Sequence, residues 1–450
     1  MAEIGRLRIQ CFNGESYIPV DKCKITVNPS STNQEDASKY TNIILTTDSS
    51  GLSEVIDLAA PPKAYSQSPL DDVTPYGLYN LKIERNGFDD VFIKGVQIFS
   101  EQLAIQNVSM PELNTRSEKK RQTGNDDILI LPNTLNGDYP EKIPEASEKP
   151  LPPPSSGVVL QQPVVPEFVT VHQGSPNDNT APNYKVYYKD YIKNVASCEI
   201  YSTWPDSTIR ANIYCIISFT LNRIYTEWYR GKGKNYDITS STAYDHAFNY
   251  GRNIYENISN VVDEIFSTYI KRFNRKQPLL TQYCDGKNVQ CPEWLSQWGS
   301  KYLGDQGKVP YDILTYYYGD DIELKRASQV TGSPSSYPGY TLTIGSTGES
   351  VRNVQEYLNR IAKNYPLIPT VAVDGVYGEN TAEAVRVFQD IFSLPKTGQI
   401  DYATWYQISN IYVGVSKIAE LRGDNIFIPP TDMLGFRSSN KAPRFTYPLN

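Results

Sequence analysis

VDGVYGENTAEAVRVFQDIF, residues 373–392, is the stretch whose reading decides the C-terminal architecture. Gly375 and Gly378 permit a tight turn that passes close to its neighbours, and Asn380 is placed to cap the helix that follows. Thr381, Val385, Phe388 and Phe392 then fall three and four apart, so one face of that helix is apolar. Upstream, Val351, Val354, Leu358 and Ile361 make a matching face on another helix. Two such faces predict a small helical unit over 340–415, followed by a tail at 416–450.

Toward the N-terminus the helical period continues. Asp206, just after Pro205, reads as an N-cap, and Ile209, Ile213, Ile216, Thr220 and Ile224 carry a helix to about Tyr229, where the glycines of RGKGKN stop it. Residues 251–270 predict a second helix, with Ile254, Ile258, Val261, Val262, Ile265 and Tyr269 on one face. A largely helical domain over 167–335 is therefore expected. Before it, at 113–166, the composition changes: Arg116, Lys119, Lys120 and Arg121 form a charge run, and eight prolines lie between Pro140 and Pro166. Such a stretch favours extended polyproline conformation, packs no core of its own and is open to proteases.

Residues 1–112 read as seven short strands: LRIQCF, CKITVNP, YTNIILTTD, LSEVIDL, YNLKIER, DVFIKGVQIF and EQLAIQNVSM. Turn signals such as DSSG and RNGF separate them, and this spacing predicts a β-sandwich. The expected fold class is multidomain α+β: an N-terminal β-sandwich, a largely helical domain and a C-terminal helical unit. A length of 450 residues agrees, at about 150 residues per domain.

Composition removes several functions. Lysine plus arginine is 43 against 50 acids, a formal charge of -7, so no protein-wide basic field invites nucleic acid. The apolar run at 213–219 is far shorter than the ~20 residues that cross a bilayer, so no membrane span is expected. The opening MAEIGRLRIQ lacks a basic n-region followed by an apolar h-region, and no secretory signal is expected. With only His172 and His246, zinc hydrolases and most serine or cysteine triads have little to work with, which leaves carboxylates for any chemistry. Six cysteines are too sparse for a disulfide scaffold. Tyrosine, at 34 residues, is the one excess; its flat amphipathic ring suits sugars as well as cores.

Three segments resemble known families. The order of strands in 1–112 resembles the carboxypeptidase-regulatory-like β-sandwich, here without a site of its own. GSTGESVRNVQEYLN followed by DGVYGENTAEAVRVFQDIFSLPKTGQIDYATW resembles the three-helix peptidoglycan-binding domain. VASCEIYSTWPDSTIRANIYCIISFTLNRIYTEWYRGKG, then STAYDHAFNYGRN, then the SQWG and ILTYYY segments resemble the stage II sporulation protein D family of lytic transglycosylases. The whole chain resembles the precursors of clostridial spore cortex-lytic enzymes. The resemblance implies that 1–112 and 113–166 are a propeptide, with the activation site in the second, and that 167–335 is a lytic transglycosylase domain.

Carried over position by position, the catalytic glutamate falls on Glu199, ahead of Tyr201, Trp204 and Pro205. One carboxyl group suffices for a lytic transglycosylase, because the nucleophile is the substrate's own muramoyl 6-hydroxyl. Tyr201, Trp204, Asp245, Tyr283, Ser296, Gln297 and Trp298 are expected to bind the glycan, although Trp298 suits a core equally well. The arginine that the family often carries late in the first helix is replaced here by Ile217. Some relatives bind zinc; only His246, Cys284 and Cys291 could do so here, and the spacing of the two cysteines suits a disulfide or a reduced pair better. No metal or cofactor is expected. In the C-terminal unit, Asp374, Tyr377 and Arg386 are expected to meet peptidoglycan from an exposed loop and helix ends.

The resemblance further implies two partners, spore cortex peptidoglycan and a germination serine protease; the small residues after the proline run place the expected cut between 150 and 165, near 155–159. It implies synthesis in the mother cell and a place in the cortex or coat region of the spore. Two other functions stay open. One is an N-acetylmuramoyl-L-alanine amidase, against which the shortage of histidine weighs, and the other is a non-catalytic peptidoglycan-binding spore protein.

Overall fold

The computed structural model describes residues 2–13, 18–30, 42–69, 73–113, 127–145, 163–287, 291–327 and 337–416. The charge run at 116–121, most of the expected cut region at 150–165 and the tail beyond 416 lie outside the described residues. Two compact units divide between Ser336 and Tyr337.

In the first unit, β1 (Glu3–Phe12), β2 (Lys24–Pro29), β3 (Ile43–Thr46), β4 (Ile56–Ala60), β5 (Gly77–Glu84), β6 (Val91–Ile98) and β7 (Leu103–Ser109) lie where the alternation predicts. Every second residue of β5, Tyr79, Leu81 and Ile83, is buried, as are Leu7, Ile9 and Cys11 of β1. One sheet has the order β4-β1-β7, with β7 parallel to β1; the other runs β3-β2-β5-β6. Later residues extend both. A short strand, β8 (Ile128–Leu129), pairs in parallel with β6. Residues 127–145 thus depart from the expected exposed linker: Ile130, Asn133 and Leu135 are buried.

The chain then forms β9 (Phe168–His172), β10 (Asn183–Tyr187), α1 (Tyr188–Glu199) and α2 (Asp206–Tyr225), and β11 (Ile238–Thr239) pairs with β9. Pro205, not Asp206, is the N-cap of α2. α2 is buried nearly all round, the pattern of a central helix, and Ser218 and Thr220 satisfy their hydroxyls on carbonyls one turn back. β12 (Ile254–Tyr255) pairs with the open edge of β7, so the helix expected over 251–270 begins only at α3 (Glu256–Ile265). After α3 comes β13 (Thr268–Arg272), followed by β14 (Tyr283–Cys284), β15 (Leu295–Ser296), α4 (Gln297–Asp305), α5 (Pro310–Tyr318) and β16 (Ile322–Arg326). β13 pairs with β16, which takes Tyr269 out of the expected helix, and β14 pairs with β15.

Buried polar groups join the sandwich to the helices. Arg252 donates to Gln97 Oε1 (2.7 Å), and Asn253 both donates to the Gln97 carbonyl (3.0 Å) and accepts from its N–H (3.1 Å). Phe99 packs against Tyr201 and Tyr255. These bonds cross between the two regions, so separating them would expose a set of unpaired groups.

The second unit contains α6 (Glu349–Ala362), α7 (Glu379–Ile391) and α8 (Tyr402–Ser416). The apolar faces of α6 and α7 are buried as their periodicity predicts, apart from Phe392, which is half-buried. Gln355, buried on α6, holds the 374–376 turn: it accepts from Gly375 N–H (2.9 Å) and donates to Asp374 Oδ1 (3.0 Å). Gly375 has φ 74°, which explains the glycine. Gln389 on α7 repeats the device with Gly398, whose φ is 68°. α7 starts one residue after Gly378, its N-cap, so Asn380 lies inside the helix and does not cap it.

Candidate active site

Glu199 ends α1, and its carboxyl group is buried among residues from four segments. One oxygen accepts from the Ala247 N–H (2.6 Å), and the other accepts from the Tyr283 hydroxyl. Burial pushes its pKa up to about 7, against the opposing pull of Lys142 and of these two donors. A carboxyl group poised near neutrality can both give and take a proton, which is what general acid–base work requires.

The carbonyl of Glu199 accepts from the side-chain amide of Gln297 (3.0 Å), at the start of α4. Ser296 caps α4 by accepting from Gly299 N–H (2.9 Å), and the helix begins at Gln297. Pairing of β14 with β15 places Tyr283 opposite Leu295, which brings the two distant segments to Glu199. Tyr201, Trp204 and Trp298 form an aromatic cluster with ring centroids 5.0–5.9 Å apart. The Trp204 indole donates to the Ser66 carbonyl of the sandwich (2.9 Å), whereas buried Trp298 Nε1 has no hydrogen-bond partner among the described residues.

Asp245 is wholly buried. Its carboxylate accepts from Arg223 Nε (2.7 Å), the Tyr229 hydroxyl (2.6 Å), and Thr239 N–H and hydroxyl (2.9 and 2.7 Å). A carboxylate so occupied orients Arg223 and has little left for a ligand. His246 is buried too; its Nδ1 meets the Tyr191 hydroxyl (3.0 Å) and its ring stacks on Tyr283. Desolvation holds His246 well below its ordinary pKa, so the imidazole is neutral.

Residues 127–145, part of the expected linker, run directly over this site. Asn133 and Thr134 donate to the carbonyls of Ser197, Cys198 and Ile200, the free C-terminal end of α1. Ile143 and Glu145 pair with the Gln282 side chain. Lys142 Nζ donates to the Asp245 carbonyl (2.6 Å) and lies over the rings of Tyr283 (4.5 Å) and Phe219 (4.9 Å). Burial brings its pKa down to about 8. Glu145 makes a two-pronged ion pair with Arg223 (2.8 and 3.0 Å). A lone lysine and glutamate among prolines carry no sequence signal of such a role.

Cys284 and Cys291 form a disulfide whose Cα atoms are 5.7 Å apart, beside Tyr283. Among the described residues no group of three or more His, Cys, Asp or Glu side chains could hold a metal ion, and no helix is long and apolar enough to cross a membrane.

In the C-terminal unit the three expected contact residues divide. Asp374 is exposed, while its carboxylate accepts from Gln355 and Val376 N–H. Arg386 is partly exposed and pairs with Glu383 (2.9 Å). Tyr377 is 1% exposed and donates to the Gly398 carbonyl (2.9 Å), which corrects its expected place on an open loop.

The chain is thus an α+β protein with a buried acid site in its first unit and a compact helical second unit. Residues 347–408 match the family described as "Putative peptidoglycan binding domain". No curated protein matches the sequence. Among solved structures, the SleB N-terminal domain is similar at 32% identity, covering 16% of this chain and 93% of that one, with a TM-score of 0.15. Chlorocatechol 1,2-dioxygenase from Pseudomonas putida is similar at 11% identity, covering 25% of this chain and 60% of that one, with a TM-score of 0.16. Neither likeness extends over the chain, and neither decides its function.

Proposed function

We propose that the chain is the inactive precursor of a spore cortex peptidoglycan lytic transglycosylase. The observation that carries this reading is the Glu199 carboxyl group, buried, near neutral in pKa and gripped by Tyr283 and the Ala247 N–H. Glu199 gives its proton to the glycosidic oxygen as the C1–O4 bond breaks. The resulting carboxylate takes the proton of the muramoyl 6-hydroxyl as that oxygen bonds to C1, so an anhydro end forms and no water is consumed. Gln297 fixes the Glu199 backbone, and the Tyr201, Trp204 and Trp298 rings, buried here partly against the N-terminal sandwich, become a surface for sugar faces once residues before the cut leave. The second unit holds the enzyme on peptidoglycan, as its family match supports.

Residues 127–145 close the site in the precursor, and a germination serine protease releases it by cutting within 150–165. The location that follows is the spore cortex or coat region. Digestion of purified cortex with the cut chain tests the reading. Products lighter by one water than reducing muropeptides are expected; free stem peptides would show an amidase, and no products a binding protein.

A further inference from the structure

The Arg223 guanidinium is 1% exposed, and its two ends face different owners. Nε is bound by Asp245, itself anchored on Tyr229 and Thr239 of the same region. The outer fork, Nη1 and Nη2, is held by both carboxylate oxygens of Glu145, with Nη2 also donating to the Tyr244 carbonyl (3.0 Å). Phe219 (4.7 Å), Trp228 (5.1 Å) and Tyr229 (5.8 Å) surround the guanidinium plane.

We infer that this fork is a carboxylate-binding subsite of the glycan cleft, filled in the precursor by Glu145 acting as a substrate mimic. The inference rests on the proposed transglycosylase precursor. The planar fork matches a carboxylate two-prong to two-prong, and the aromatic walls fix its orientation. Asp245 occupies only part of the guanidinium's bonding capacity, so when 127–145 leaves, a buried guanidinium end loses its one other charged partner and both of the bonds that Glu145 made. Such a group demands replacement. The site lies on the same wall as Glu199: Lys142, three residues before Glu145, touches both Phe219, the floor under Arg223, and Tyr283, the donor to Glu199. Peptidoglycan supplies the fitting group, since the peptide stems attached to its muramoyl residues bear free carboxylates. Arg223 would then read a stem carboxylate beside the bond that Glu199 breaks.

The full-length chain tests the subsite without any need for lysis. Glu145→Ala should lower the melting temperature, and sodium acetate should restore it saturably at constant ionic strength while chloride does not. Glu145→Gln should show the smaller loss and no acetate effect, and acetate should fail on the Glu145→Ala, Arg223→Gln double variant. An acetate effect no larger than that of chloride on Glu145→Ala overturns the subsite. For the substrate, muramyl dipeptide should bind the chain cut within 150–165 and separated from its N-terminal fragment at least tenfold more tightly than its C-terminal amide, and equal affinities overturn that assignment. Carboxylate-selective binding with no anhydro products from cortex would instead keep the subsite and sink the transglycosylase reading.

Discussion

The ammonium of Lys142 lies 4.5 Å from the ring centroid of Tyr283, and the hydroxyl of that same ring donates to Glu199. A cation from the N-terminal segment is therefore stationed one residue away from the acid it opposes. Lys142 draws Glu199 toward its ionised form, the form that cannot protonate a leaving group. Departure of the segment removes that pull.

Lys142→Met keeps the apolar stem over Phe219 and Tyr283 but removes the charge and its bond to the Asp245 carbonyl. A charge-assisted hydrogen bond contributes about 1.5–3 kcal/mol, so the segment should open roughly ten- to a hundredfold more often. Cortex lysis by the uncut variant should rise by that factor over the uncut parent. An unchanged rate would show that the amine does not hold the site shut.

Glu199 also couples stability to pH. Its pKa is about 7 in the fold and near 4.5 when unfolded, so the folded state holds the proton more tightly. Its contribution to stability is complete below about 4.5 and is lost as pH rises through about 7. Glu199→Gln cannot titrate. Its melting temperature relative to the parent should therefore climb between pH 4.5 and 7 and level off above. A flat difference across that window would mean that the carboxyl group titrates normally.

Catalysis gives a separate check. In the cut chain, Glu199→Gln keeps the bonds from Ala247 or Tyr283 sterically possible but has no proton to donate. Lysis should fall at least ~100-fold, the usual scale for losing general acid–base help, while sedimentation with cortex persists. Activity within a few-fold of the parent would remove Glu199 from the mechanism.

How much of this was legible in the sequence differs by element. The seven strands of residues 1–112 announce themselves because one sheet face is buried and alternation follows. The α6 and α7 faces are equally plain. α2 was found through its isoleucines although it is buried all round, whereas Ile254 and Tyr269 misled: both fit a helical face but belong to strands paired with β7 and β16. Glu199, Tyr283 and Gln297 came through family resemblance, and the structure brings them together. Lys142, Glu145 and Arg223 were missed because their meaning lies in contacts 78 to 103 residues apart, which no local period records. Tyr377 looked exposed because a glycine-rich loop carries it, yet its ring is buried and its hydroxyl is tied to the Gly398 carbonyl.

That ring gives a stability prediction for the second unit. Tyr377→Phe keeps the packing and loses only the bond to the Gly398 carbonyl, which is then left buried. The unit should lose about 1–2 kcal/mol in denaturant unfolding and still sediment with peptidoglycan. Loss of sedimentation with unchanged stability would return Tyr377 to the contact surface.

The last prediction concerns what happens after the protease cuts. A break within 150–165 severs the covalent link, but it leaves the strand pairing of β7 with β12 and the Gln97, Arg252 and Asn253 bonds untouched. Asn133, Lys142 and Glu145 also remain seated on the site. The N-terminal fragment should therefore co-elute with the rest of the chain in gel filtration, and lysis should begin only after a lag as the fragment dissociates. Gln97→Ala removes the acceptor for Arg252, a charged bond contributing about 1.5–3 kcal/mol, and should shorten that lag roughly tenfold or more. Cutting followed at once by separation and full activity, in parent and variant alike, would show that the linker alone kept the precursor closed.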